Sequence, residues 1–239
     1  MTVLYLSKDG IATITLDRAE ARNALNLALC DALIDAAKRA AADDSVRVVL
    51  LRAKGPAFCA GADLKERQGM DAVKVRERRA RAFAAYAALE ALPMPSIAVV
   101  QGPAVGSGCE IAAACDFIVA TPEASFRTPE ALRGTVGATQ RLPRVLGKRL
   151  AKDMMFTGRL LSAEGAREAG LVARLISADK LEALLREITS VIVQAPPQAM
   201  RLAKRALDRG LELDAKGALA AELEAIEEQL ASGQWMGKR

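Results

Sequence analysis

Histidine is absent from all 239 residues, which removes the side chain most often used for proton transfer near neutral pH. The ordinary base for a serine nucleophile goes with it. Ser107, flanked by Gly106 and Gly108, therefore has no triad to join and offers mainly its backbone N–H. Aromatic residues make up only 3% of the chain, leaving few faces on which nucleic-acid bases could stack. The four cysteines, Cys30, Cys59, Cys109 and Cys115, include no C-x-x-C pair. Neither a disulfide framework nor a zinc site is indicated, no metal is expected, and a reduced, cytoplasmic setting fits. A Walker A pattern is missing, and Gly102-x-x-x-Gly106-x-Gly108 departs from the dinucleotide fingerprint in spacing and context, which argues against nucleotide hydrolysis and hydride transfer. Long apolar runs are missing as well. The most apolar stretch, residues 96–120, is interrupted by Gln101, Glu110 and Asp116. Residues 1–16 lack the cationic start and apolar block of a signal peptide, so no membrane partner is expected.

The 51% hydrophobic fraction is carried by Ala, Leu and Val, a composition suited to close helix packing in a chain long enough to build a full core. The formal charge of +5 permits an anionic ligand or nucleic acid without requiring either. Residues 2–6 and 11–16 read as two strands around the turn Lys8-Asp9-Gly10. Leu25, Ala28, Leu29, Ala32, Leu33 and Ala36 recur at helical spacing, predicting a helix over residues 24–41 capped by Asn23. Residues 73–92 read as a helix whose Lys74, Arg76, Arg78, Arg79 and Arg81 form a solvated face. Beyond Pro143, helices are predicted over 150–156, 163–169 and 181–193, with a short strand at 172–175. Pro196-Pro197 then opens a helical pair broken at Gly210. Its last helix carries Leu219, Leu223, Ile226 and Leu230, a narrow seam of the kind that packs against another helix.

One unit occurs twice: a short apolar strand, a glycine-containing loop and a helix start. The first copy runs through 46–51, Gly55 to Gly61 and 62–66; the second runs through 97–100, Gly102 to Gly108 and Glu110 onward. Such a turn leaves backbone N–H groups free at the helix start, where the helix dipole reinforces them, and two of these could converge on one oxygen. Glu110 and Glu130 each follow a break in the pattern, and without histidine they are the candidates for acid–base work. On spacing alone a glutamate in a first helical turn is more often a dipole-stabilising acid than a catalyst, and Asp63 reads the same way. Cys109 and Cys115 read as small core fillers.

The block Phe58-Cys59-Ala60-Gly61-Ala62-Asp63-Leu64-Lys65-Glu66, the Gly102 to Glu110 loop with Ala114-Cys115-Asp116, and the stretch Phe126 to Glu130 are followed in order by Thr139-Gln140-Arg141-Leu142-Pro143-Arg144 and Gly158-Arg159. Together they resemble the enoyl-CoA hydratase/isomerase (crotonase) family over nearly the whole chain, and residues 58–67 are especially similar to its methylglutaconyl-CoA hydratase branch. The resemblance implies an α/β fold, a crotonase-like spiral of ββα units over 1–195, with a C-terminal helical trimerisation region over 196–239. It implies an acyl-CoA thioester substrate, with CoA part of that substrate and no separate cofactor, in a homotrimer or dimer of trimers. The N–H groups of Ala62 and Ser107 would form the oxyanion hole, Ser107 standing where the family commonly has glycine. Ala21, Ala60 and the stretch Ala62-Asp63-Leu64-Lys65 would border the CoA. Glu110 and Glu130 would hold the water that adds to the double bond, Glu110 as its base and Glu130 as the proton donor to the α-carbon. Alternatives within the resemblance are an enoyl-CoA isomerase working with one glutamate, an RNA-binding member using the basic helix, and a catalytically silent acyl-CoA binder. Two departures stand out: a short Gly134-Thr135-Val136-Gly137-Ala138 turn where the family has a longer glycine-rich loop, and an abbreviated end whose remnant is Gln234-Trp235-Met236-Gly237-Lys238.

Overall fold

The structure is a computed structural model that describes residues 2–233, so the terminal remnant at 234–238 lies outside the described residues. The expected hairpin forms from β1 (Val3–Lys8) and β2 (Ile11–Leu16), paired antiparallel. Next come α1 (Leu27–Ala42), β3 (Val48–Ala53), α2 (Leu64–Arg67), α3 (Ala72–Glu90) and β4 (Ser96–Val100). A short strand β5 (Pro103–Val105), unforeseen in the sequence, lies inside the second glycine loop, before α4 (Ser107–Ala113) and β6 (Phe117–Ala120). The chain continues through β7 (Ser125–Arg127), α5 (Arg141–Thr157), β8 (Leu161–Ser162), α6 (Ala163–Glu168) and β9 (Arg174–Leu175), and ends in α7 (Leu181–Gln194), α8 (Pro197–Gly210) and α9 (Ala215–Ala231). Apart from the hairpin, the six-stranded sheet β1-β2-β3-β4-β6-β9 is parallel; β5, β7 and β8 make a second, smaller sheet. This is the α/β architecture expected, and strand alternation assigns its two faces. Val48, Leu50, Ile97, Val99 and Val119 pack under Leu181, Leu185 and Ile188 of α7, whereas Val49, Leu51, Ala98, Val100 and Ile118 face the main core with α1, α3 and α4. All four cysteines are buried free thiols. Among the described residues no helix is long and apolar enough to cross a membrane.

Three local expectations are corrected. Helix α1 is capped by Asn26, whose side chain accepts from the Leu29 N–H at 2.9 Å, and not by Asn23. Asn23 is fully buried at φ 54°, donates to the carbonyls of Lys54 and Ala57 at 2.9 Å each, and accepts from the Arg18 N–H at 2.9 Å. It fastens the approach to α1 onto the loop after β3. The helical stretch α5 starts at Arg141, before Pro143, because the first turn of a helix has no use for the proline's missing N–H, and it is broken at Gly147 (φ 70°, ψ 157°), beyond which the predicted 150–156 helix runs on to Thr157. The basic run is not simply a solvated face: Arg78 is buried, pairs with Glu66 at 2.6 Å and donates to the Leu25 carbonyl, and Arg81 pairs with Asp31.

Replacing Asn23 strips three hydrogen bonds from a buried side chain and places a less tolerant residue at a positive φ. Asn23→Ala is expected to cost about 3 kcal/mol of unfolding free energy, against about 1 kcal/mol for removing the helix cap with Asn26→Ala. Urea melts of the two variants check this order; an equal or smaller loss at Asn23 would contradict it.

Candidate active site

The two glycine loops meet backbone to backbone. The N–H groups of Phe58 and Cys59 donate to the Pro103 carbonyl at 3.1 and 3.2 Å, and the Val105 N–H returns to the Cys59 carbonyl at 2.9 Å. Side chains have no room in this seam: a Cβ on Gly102 would lie 2.1 Å from the Pro56 oxygen, and one on Gly108 2.2 Å from the Cys59 oxygen. The contact brings Ala62 and Ser107 to the wall of one cavity of about 510 Å³. A Cβ built on Gly61, next to Ala62, would lie only 3.9 Å from the Ser107 nitrogen. Among the described residues neither Ala62 nor Ser107 spends its N–H on a backbone carbonyl, so both are free to meet a ligand oxygen.

Glu110 and Glu130 line the same cavity. Glu110 does not open its helix as the sequence implied; α4 begins at Ser107, and Glu110 sits one turn in, buried, its N–H bonded to the Gly106 carbonyl at 3.1 Å. Its Oε2 accepts from Arg141 at 3.1 Å, while its Oε1 is buried without a partner. Glu130 precedes a single 3-10 turn (Ala131–Arg133), and its Oε2 is likewise buried and unpartnered. Burial holds the Glu110 carboxyl above its ordinary range despite the Arg141 charge beside it. Burial raises Glu130 too, the Glu110 charge adding to the effect, against the weaker pull of its own N–H and of Arg133 and Arg79. Unpartnered buried oxygens on two carboxyls facing one space call for a proton or a hydrogen-bonding guest. The thiols offer no alternative nucleophile: desolvation pushes Cys30 up to about 11 and Cys59 and Cys115 to about 12.

Of the residues expected to border CoA, Ala60, Ala62, Leu64 and Ser107 line the cavity, and Leu64 and Lys65 are exposed at its α2 edge. Asp63 is turned away: it caps α2, accepting from the N–H groups of Lys65 and Glu66 at 2.9 and 3.2 Å, and pairs with Arg18 at 2.6 Å. Ala21 ends a 3-10 turn outside the lining. Sequence reasoning missed Tyr86 and Arg141. Tyr86 lines the cavity from α3, and burial pushes its hydroxyl upward, the nearby Ser107 side chain working the other way. The guanidinium of Arg141 stands 5.6 Å from the Tyr86 ring centre and reaches Glu90 at 2.7 Å. The spacing of Tyr86 and Glu90, i and i+4 on one helix face, is the signal that could have found this cluster.

A family model described as enoyl-CoA hydratase/isomerase matches residues 7–235. Over 223 residues the chain is 41% identical to enoyl-CoA hydratase domain-containing protein 2, mitochondrial, of Mus musculus, covering 89% of this chain and 75% of that protein. Among solved structures, an enoyl-CoA hydratase from Bacillus anthracis superposes with a TM-score of 0.91 at 37% identity, covering 95% of this chain and 90% of that one. An enoyl-CoA hydratase from Mycobacterium smegmatis superposes with a TM-score of 0.92 at 35% identity, covering 96% and 91%.

Because the fold raises the Glu130 pKa, its protonated form is favoured in the folded state. Stability from this group is full below the ordinary glutamate value of about 4.3 and is lost as pH rises through the raised pKa. Glu130→Gln should therefore melt higher than the wild type at pH 8, and the gap should close near pH 4. Calorimetric scans at the two pH values check this. A Gln variant no more stable than wild type at pH 8 would show that the carboxylate is not desolvated.

Proposed function

This chain belongs to the enoyl-CoA hydratase/isomerase family, and we propose that it adds water across the 2,3 double bond of an enoyl-CoA thioester. The observation that carries this reading is the pair of carboxyls, each with one buried oxygen that has no partner, facing the same cavity as two free N–H groups. Hydration needs those parts together. Glu110 takes a proton from water as the oxygen bonds to the β-carbon. The π electrons move toward the thioester oxygen, where the N–H groups of Ala62 and Ser107 stabilise the enolate. Glu130 then delivers a proton to the α-carbon, and proton exchange between the carboxyls or with solvent resets the pair. Ala21, Ala60, Leu64 and Lys65 would border the CoA, with Asp63 acting through the shape of α2 and no separate cofactor required. A reducing compartment such as the cytoplasm suits four buried free thiols.

Glu110→Gln and Glu130→Gln should each lower kcat by at least about 100-fold while leaving the fold intact, since an amide cannot exchange the proton. Loss of the conjugated enoyl-thioester absorbance follows hydration, and its appearance from a 3-enoyl thioester follows isomerisation. Full hydration by Glu130→Gln would defeat the two-carboxylate mechanism; isomerisation that survives one substitution and not the other would identify an isomerase.

We also infer assembly through residues 196–239. Leu219, Leu223, Ile226 and Leu230 of α9 remain between 42 and 57% exposed, a row of large apolar side chains spaced at three and four residues on one helix. A trimer or a dimer of trimers would cover it. Light scattering of active protein at micromolar concentration should report several subunits, and Leu223→Lys should reduce the mass; an active wild-type monomer would reject the inference.

A further inference from the structure

We propose that Arg141 is a positioning residue that ties down Oε2 of Glu110 and so leaves Oε1 as the one oxygen able to meet the water, a role that rests on the hydration reading of the same site. Arg141 is the first residue of α5, and its side chain is only 17% exposed. One arm of its guanidinium, Nη1, donates to Glu110 Oε2 at 3.1 Å; the other, Nη2, donates to Glu90 Oε2 at 2.7 Å. The ring of Tyr86 lies beneath it, 5.6 Å away. A planar fork held on three sides has little freedom to turn, so the carboxylate it grips is fixed about its own terminal torsion. The consequence is visible at the other oxygen: Oε1 is buried, without a partner, in a cavity-lining residue.

The same contact distinguishes the two carboxyls chemically. Glu110 has a cation in hydrogen-bonding contact, which favours its ionised form against the cost of burial. Glu130 makes no ion pair within 4.0 Å among the described residues, and Arg79 and Arg133 act on it only from farther away. Two neighbouring acids in unequal surroundings are thereby sorted into a proton acceptor and a proton donor. The other groups facing Glu110 are Glu90 and Tyr86 on α3, Cys109 beside it on α4, and Glu130 across the cavity. Glu90 works against Arg141 in charge, raising the affinity of Glu110 for a proton, while supporting it in geometry.

These opposed effects provide a test. Hydration of crotonyl-CoA would be followed from pH 5 to 10 for wild type, Arg141→Gln, Arg141→Lys and Glu90→Gln. Arg141→Gln should lower kcat by about 30-fold or more with KM nearly unchanged, and should move the acid limb of the kcat profile up by about one pH unit. Arg141→Lys should return the limb toward its wild-type position but recover only part of kcat, because an ammonium cannot bridge two carboxylates as the fork does. Glu90→Gln should move the limb the opposite way, to lower pH, with a loss of a few-fold in kcat. A merely structural arginine would not shift the limb in opposite senses. An active wild type whose limb stays put in these variants, or a loss carried by KM, would overturn the positioning role alone. Should Arg141→Gln fail to fold, the lysine and Glu90 variants decide by the same criteria. A wild type that hydrates no enoyl thioester would defeat the hydration reading and this role with it.

Discussion

The site depends on one close contact, the backbone seam between the loops at 55–61 and 102–108. Each loop follows a parallel strand of the large sheet, β3 or β4, so the sheet fixes where the two leave the core. Their meeting requires residues with no side chain at Gly102 and Gly108, where a Cβ would fall within 2.2 Å of a carbonyl oxygen. What the seam provides is register: Val105 bonds to Cys59, so Ala62 and Ser107, a few residues farther along each loop, come to the wall of one cavity. In the oxyanion role proposed for them, these two main-chain groups would have no side chains to reorganise during reaction.

The absence of histidine shapes the chemistry built on that frame. A carboxyl in water has a pKa too low to donate a proton effectively near neutral pH, so burial must raise it. Both Glu110 and Glu130 are raised by desolvation, yet only Glu110 holds a cation in direct contact. Two residues of one type can then take different parts in a proton transfer because their surroundings differ. Ser107 adds a side-chain element. Its side chain lies close enough to Tyr86 to work against the upward pull of burial on that phenol, on the helix that also carries Glu90.

Much of this was legible from residue order because the signals were local. The hairpin, the doubled strand–loop–helix unit and the two glutamates are short-range patterns, and the fold realises each of them. The misses have a shared cause. Asn23 has the residue type and position of a helix cap, but tertiary hydrogen bonds to Lys54 and Ala57 claim its side chain, and Asn26 caps instead. Arg78 belongs to a basic run that reads as solvated, until Glu66 from the neighbouring short helix buries it. Arg141 lies 31 residues from Glu110 in the chain, and nothing local announces that α5 will start beside α4. β5 escaped notice because a three-residue strand inside a glycine loop has too little pattern to register.

The shortened turn after Glu130 still seats that side chain, and the way it does so links the two halves of the site. Glu130 lies between glycines: a Cβ on Gly106 would stand 2.3 Å from its Oε1, and one on Gly137 would stand 3.2 Å from its Cγ. Gly106 also has a φ of 53°, a conformation that side chains resist, and its N–H is bonded to the Arg127 carbonyl at 2.8 Å. It immediately precedes Ser107. One glycine therefore both borders the Glu130 carboxyl and sets the direction of the chain into the Ser107 N–H, so the two proposed functional groups share this loop. With Gly106 and Gly137 both close against it, the short turn at 134–138 keeps the Glu130 carboxyl in the cavity that Glu110 shares.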